Sequence, residues 1–336
     1  MTVVNKKMLA VIANGFGSAD VLEVASVVRP RPSDDQVLIH VKATSVNRPD
    51  IVQREGYYPP PKGESTIIGL EVAGIITELG KNVNDFEVGD RVAALVAGGG
   101  YAEFVTAHRK HLIPIPDEMN FYEAACISET YITSYLNLFR IAGLKDGESV
   151  LVHGGGGGVG TAAIQLCREL VPNSRLFSTA SSTKLCSLRE LGTDVVIDYK
   201  KQDFLDEIKS DTEGSGVNII LDHIGASYLS SNLKALAVGG TLIIIGIIGG
   251  AKTEINLGTI LVKRHQIVGS ILRSRSIAQK GEIISDFKKV VMPLFASQKI
   301  KPVIYKILHL EDVREAHKIM ESSIHFGKIV LQVGST

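Results

Sequence analysis

Residues Leu151–Leu166 read LVHGGGGGVGTAAIQL, and the five consecutive glycines, Gly154 to Gly158, decide the fold. They follow an apolar run, SVLVH, and open a stretch with helical spacing, TAAIQLCREL. Gly155, Gly157 and Gly160 stand there in the pattern GxGxxG. A strand, a glycine turn and a helix, in that order, form the context that a dinucleotide site needs. Missing Cβ atoms permit a tight turn and close packing of helix on strand, and the helix N-terminus offers free N–H groups to a pyrophosphate. A flexible linker would not be flanked by such apolar segments.

The pattern repeats downstream. Further apolar strands are predicted at Leu176–Thr179, Val195–Ile197, Asn218–Leu221, Leu242–Ile245 and Gln266–Ile271, after the first at Val150–Val152. Helices are predicted over Val159–Leu170, Lys184–Leu191 and Tyr228–Val238. Strands alternating with helices imply an α/β domain built on a doubly wound parallel sheet, here spanning 129–272. Before it, residues 1–128 alternate short β-rich runs with turn signals, as in QVLIHVKATSV and YAEFVTAH, which reads as an antiparallel, barrel-like domain. After it, residues 273–336 add a strand near Val303–Ile307, a helix at Glu311–Glu321 and a last strand, Lys328–Val333, expected to rejoin the first domain.

An NAD site usually carries an acid about 20 residues beyond the glycines, on the ribose hydroxyls. Here that region reads RLFSTASSTK, with no carboxylate. Ser181 and Ser182 can donate hydrogen bonds and Lys184 brings positive charge, a set suited to a 2′-phosphate, so the expected cofactor is NADPH.

Composition narrows the partners. Lys plus Arg and Asp plus Glu both number 36, so the formal charge is zero, which argues against nucleic acid or an anionic membrane as a bulk partner. The start, MTVVNKKMLAVIANG, lacks the apolar core of a signal peptide, and the longest apolar run, Leu242–Ile248, is too short to span a bilayer; a cytoplasmic protein is expected. Three cysteines, Cys126, Cys167 and Cys186, form no CxxC pair and suggest neither disulfides nor a structural zinc.

Several segments taken together carry a resemblance: SVLVHGGGGGVGTAAIQL, NRPDIVQREGYYPPP, GLEVAGIITELG, GGGYAEFV, ILRSRS and FGKIVL. In family order, and over nearly the whole chain, they resemble the zinc-free quinone oxidoreductases of the medium-chain dehydrogenase/reductase superfamily. That group is zeta-crystallin-like, and the likeness is greatest to its tumour-suppressor-inducible branch in animals. The resemblance implies a GroES-like catalytic domain, mostly antiparallel β, enclosing a Rossmann domain, with the active site in a cleft and a homodimeric assembly. It also implies hydride transfer from NADPH to a quinone. Zinc alcohol dehydrogenases of this superfamily carry a cysteine where Asn47 stands and a histidine where Leu70 stands, so no metal is expected.

The same resemblance assigns roles. Gly155, Gly157, Gly158, Val159 and Gly160 would approach the pyrophosphate, Ser181 and Lys184 the 2′-phosphate, and Tyr199 the adenine. Asn47 and Thr133 would border the nicotinamide, with Gly246 and Gly249 along it. Tyr58 would reach the substrate, either as a proton donor or as a packing residue before Pro59–Pro61. Asp222 reads as a ligand-edge residue or a cap, and His153 and His223 as structural histidines. The spacing of Asn47, Asp50, Gly56 and Tyr58 also fits an enoyl-thioester or 2-alkenal reductase, whose substrate phosphates would need an anchor such as Arg273, Arg275 or Lys280. A crystallin-like or RNA-binding role is the non-enzymatic alternative.

Overall fold

A computed structural model describes residues 6–334; residues 1–5 and 335–336, the outer ends of the segments expected to form the first domain, lie outside the described residues. Two compact units emerge, one running to Ile132 and resuming at Leu272, the other covering Thr133–Ile271. The second unit thus begins at Thr133 rather than Glu129, because Glu129 is fastened by its backbone to the first.

The first unit opens with β1 (Lys7–Ala13) and β2 (Leu22–Val28), an antiparallel pair. The main sheet follows: β3 (Gln36–Val46), β4 (Glu71–Leu79), β5 (Arg91–Leu95), β6 (Phe104–His108) and β7 (Leu112–Pro114). β3 organises it. One edge of β3 pairs with β4 along its length, and the other pairs with β6 near its start, leaving the stretch Ala43–Val46 free for a later strand. Val37, Ile39 and Val41 of β3 enter a core with Val72 and Ile76 of β4 and with Tyr101. After β3, Asn47 caps the helix Arg48–Arg54, where Asp50 reaches back to the Asn47 N–H (2.8 Å), satisfying a donor that the helix start would leave unpaired.

The second unit holds β8 (Ser149–Val152), β9 (Arg175–Ala180), β10 (Val195–Asp198), β11 (Val217–Asp222), β12 (Leu236–Ile244) and β13 (Gln266–Gly269). Every pairing is parallel and the order is β10-β9-β8-β11-β12-β13, the doubly wound order in which a switch point lies between β8 and β11. Leu151, Phe177, Ile197 and Ile220 fill the core between this sheet and its helices. The helix expected over Tyr228–Val238 is shorter, Leu229–Ala235. Leu236 turns extended to pair with Val217, and β12 begins there.

The chain then returns to the first unit with β14 (Ile304–His309) and β15 (Lys328–Gln332), separated by the helix Val313–Ser322. β15 pairs antiparallel with the waiting stretch of β3, so the tail rejoins the first sheet. That sheet departs from the barrel-like expectation in two ways. Its path β14-β15-β3-β4-β5-β7 has free ends and does not close, and β14 runs parallel to β15 because a helical crossover, not a hairpin, joins them.

Candidate functional site

Each unit carries part of the expected chemistry. In the second, the glycine loop leaves β8 and caps the helix Gly158–Leu170 through Gly157. Packing dictates two of its glycines. Gly154 has φ +61°, and a Cβ there would lie 2.2 Å from the His223 ring. A Cβ on Gly160 would lie 2.5 Å from the Gly154 carbonyl oxygen. Gly157 is different, since the nearest atom to its missing Cβ is 3.4 Å away. Gly157, Gly158 and Val159 stay partly exposed while Gly155 and Gly160 are buried, so open backbone coincides with the first turn of a helix, whose amides have no acceptor one turn back.

Ser134 Oγ donates to the Val159 carbonyl (3.0 Å), which brings the helix bearing Thr133 against this loop. On the other side, Ile245 N–H bonds to the Asp222 carbonyl and Ile248 N–H to that of His223, so the segment holding Gly246 and Gly249 is laced to the end of β11. Asp222 closes the turn after β11 and caps no helix, since Leu229–Ala235 starts from Tyr228: its carboxyl accepts from Ile224 N–H (2.7 Å), Gly225 N–H (3.1 Å) and Asn232 Nδ2 (3.2 Å). His153 is structural, bonded to Thr179 Oγ1 (3.1 Å) and Asn232 Oδ1 (2.8 Å), and burial depresses it to about 3.

At the ends of β9 and β10, the Tyr199 N–H donates to the Ala180 carbonyl and the Lys184 N–H to that of Ser181, so Ser181, Lys184 and Tyr199 share one corner. Lys184 is half-buried, which pushes its pKa down, and Tyr199 is exposed. Sequence reasoning missed Asp198 here. Nothing local marked it, because it lies on β10 and meets the corner only through strand pairing. Its oxygens are engaged by Ser182 Oγ and Lys200 N–H (3.1 Å), and the Ser182 bond holds it below the usual carboxylate range.

The first unit builds a buried polar cluster around Asn47. Its Nδ2 donates to Glu71 Oε1 (2.9 Å), and its Oδ1 accepts from Lys328 Nζ (2.6 Å), which also reaches Glu71 Oε1 (3.0 Å) and the Val46 carbonyl (3.2 Å). Glu71 accepts further bonds from Ser45 Oγ (2.6 Å) and the Glu129 N–H (2.8 Å). Asp50 takes bonds from Asn47 N–H and Tyr101 Oη (3.0 Å) on one oxygen, while the other is buried without a partner; burial pushes it up to about 6. Leu70, beside Glu71, is buried and apolar.

Tyr58 is pinned by a residue whose sequence reading was different. Arg273 donates to the Tyr58 carbonyl (3.1 Å), to Gln53 Oε1 (2.6 Å) and to the Ala97 carbonyl (2.8 Å), and its guanidinium lies 5.0 Å from the Tyr58 ring centroid. With its donors turned inward, Arg273 does not serve as a phosphate anchor. Lys280 is buried as well. Burial, with Glu129 nearby, pushes the Tyr58 phenol up to about 12.

Among the described residues no group of three or more His, Cys, Asp or Glu is arranged to hold a metal ion, and no helix is long and apolar enough to cross a membrane.

Comparison with known proteins identifies the class. Residues 33–117 match the alcohol dehydrogenase GroES-like domain and residues 158–297 the zinc-binding dehydrogenase family. The chain belongs to the medium-chain dehydrogenase/reductase superfamily of oxidoreductases, which use nicotinamide cofactors. It is 34% identical to a rat quinone oxidoreductase over 330 residues, 97% of this chain and 98% of that protein. It is 32% identical to a mouse synaptic vesicle membrane protein VAT-1 homolog-like over 348 residues, 98% of this chain and 82% of that protein. Among solved structures, a mycobacterial protein complexed with NADPH has a TM-score of 0.88 at 29% identity, covering 97% of this chain and 99% of that one. The apo JamJ enoyl reductase also scores 0.88, at 25% identity, covering 98% and 100%.

Proposed function

We propose that this chain is an NADPH-dependent quinone oxidoreductase that works without zinc. The observation that carries the reading is the cation already built into the cluster at Asn47. The Lys328 ammonium holds Asn47 Oδ1 and Glu71 Oε1 at 2.6 and 3.0 Å, and Leu70 supplies no donor atom. A dication there would share those oxygens with a fixed positive charge, and the donor set does not fit zinc, whose sites use thiolate, imidazole and carboxylate. Without a Lewis acid on the substrate oxygen, alkoxide chemistry is disfavoured. Acceptors that delocalise the incoming charge by their own conjugation, quinones first among them, suit the site.

The residues of the second unit fit the cofactor, because the opening at Gly157 is one a Cβ would narrow and the helix start beside it turns its first amides toward an anion. Gly155, Gly157, Gly158, Val159 and Gly160 would hold the pyrophosphate, Ser181 and Lys184 the 2′-phosphate, and Tyr199 the adenine. Thr133, Gly246 and Gly249 would line the nicotinamide. Bound NADPH supplies the hydride. Asn47 and Tyr58 serve the acceptor, Asn47 held by Lys328 and Glu71, Tyr58 by Arg273. With Arg273 spent internally, the enoyl-thioester alternative loses one of its expected anchors.

The reading extends to assembly and location. Among the described residues β13 pairs on one side only and is flanked by exposed Leu257, Leu261, Val262 and Ile271, an edge suited to a second copy of the chain in a cytoplasmic homodimer. The balanced charge gives nucleic acid no bulk attraction.

Fluorescence titration tests the cofactor assignment. NADPH is expected to bind at least tenfold more tightly than NADH, and Lys184→Ala to remove most of that difference; equal affinities in the unaltered protein would refute it. Stoichiometric zinc in the purified protein by elemental analysis would refute the metal-free reading.

A further inference from the structure

Glu129 immediately precedes the helix Thr130–Tyr135, and its backbone N–H is tied to Glu71 Oε2 at 2.8 Å. Its carboxyl makes no hydrogen bond or ion pair with any described residue, yet the side chain is partly exposed rather than sealed. Charged and titratable groups face it from every packed element: Asp50 on the helix Arg48–Arg54, Tyr58 on the loop that follows, Glu71 on β4, Arg273 before the helix Ile277–Val290, Lys280 within that helix, and Lys328 on β15. Burial and the Glu71 charge outweigh Lys328 and Arg273 and push Glu129 up to about 8, so it carries a proton at neutral pH.

The neighbours are poorer proton sources. The Tyr58 phenol is pushed up to about 12, Asp50 is ionised at neutral pH, and Lys328 already directs its donors to Val46, Asn47 and Glu71. A side chain whose proton is free to move, tied through its backbone to the Asn47–Glu71–Lys328 cluster and near Tyr58, is placed for general acid catalysis.

We propose that the Glu129 carboxyl is a catalytic acid of this site, touching the bound acceptor and giving it the proton that hydride addition requires. The inference rests on the oxidoreductase reading above. Hydride addition delivers two electrons to the quinone and leaves one of its oxygens as a phenolate. The Glu129 O–H bond then breaks and an O–H bond forms on that oxygen, giving the hydroquinone. The Glu129 carboxylate left behind regains its proton from water.

Two measurements on the full chain test this, one without cofactor. Infrared difference spectroscopy should find a protonated-carboxyl C=O band that titrates near pH 8, is absent in Glu129→Gln, and shifts when an ortho-quinone alone is added. No such band, or one indifferent to the quinone, overturns the proposal. In turnover with NADPH and the same quinone, kcat should fall above pH 8. Glu129→Gln should lose that alkaline limb, with kcat about 100-fold lower at pH 7 and NADPH affinity unchanged. Glu129→Asp should keep the limb at reduced kcat, separating chemistry from a folding defect. A Gln variant that retains the limb refutes Glu129 as the acid. Absence of quinone reduction by the unaltered protein counts instead against the functional reading, and the infrared arm, repeated with an enoyl thioester, still decides Glu129.

Discussion

Lys328→Met removes the buried cation while keeping most of its bulk. Lys328 and Glu71 are 3% and 0% exposed, so the carboxylate left behind is buried from solvent. Removing one member of a buried pair costs about 3–5 kcal/mol. Glu71 would still accept from Ser45 Oγ, Asn47 Nδ2 and the Glu129 N–H, so the cost belongs at the lower end, about 3 kcal/mol. For a domain of this size that lowers the thermal midpoint of the first unit by about 6–12 °C. Differential scanning calorimetry is the assay. Adding Glu71→Gln removes the stranded charge, and the double variant should recover about 1–2 kcal/mol relative to additive losses. A Lys328→Met midpoint within about 2 °C of the unaltered protein would refute the view that the cluster is a dry, charge-balanced unit.

Gly160→Ala places a methyl group 2.5 Å from the Gly154 carbonyl oxygen and 2.6 Å from Gly155 Cα, both backbone atoms, so the phosphate loop must shift. NADPH binding measured by fluorescence should weaken at least tenfold with the circular dichroism unchanged; unaltered affinity would detach this loop from cofactor binding. His153 gives a pH effect whose sign is set by its depressed folded value of about 3: below its ordinary 6.5 the unfolded chain takes a proton that the folded one refuses, so its contribution is lost as pH falls. The raised carboxyls Asp50 and Glu129 act oppositely, so the test is a difference: between pH 7.5 and 5, the unaltered protein should lose about 2 kcal/mol more in urea unfolding than His153→Gln does. Equal losses would show that His153 is not kept neutral by the fold.

The Rossmann half of the fold was legible because its signals are local. Apolar strands, the glycine turn and helical spacing all sit within short windows, as in SVLVHGGGGGVGTAAIQL. The barrel-like expectation for the other half failed for a physical reason. Alternating strands announce a half-buried sheet but not its closure, and the parallel β14–β15 pair depends on a crossover that spacing does not reveal. The helix read through to Val238 ended early because pairing of Leu236 with β11 overrode helical propensity. Of the proposed site, the sequence marked the glycines and singled out Asn47 and Tyr58, but not what holds them. The cluster that orients Asn47 joins Glu71, Glu129 and Lys328, residues brought together only by β3–β4 and β3–β15 pairing and by the turn into the helix at Thr130. Arg273, in ILRSRS, read as a candidate phosphate anchor, and only the contacts with Gln53, Tyr58 and Ala97 disclose its inward use.

The most direct test of the central claim is NADPH oxidation followed in parallel with an ortho-quinone and with a short enoyl-CoA, compared by kcat/KM. The account expects the quinone to be preferred by more than tenfold, about 1.4 kcal/mol in transition-state free energy. Preference for the thioester would contradict the quinone assignment while leaving the fold and the cofactor half of the site in place, and no turnover of either would contradict the proposed activity altogether.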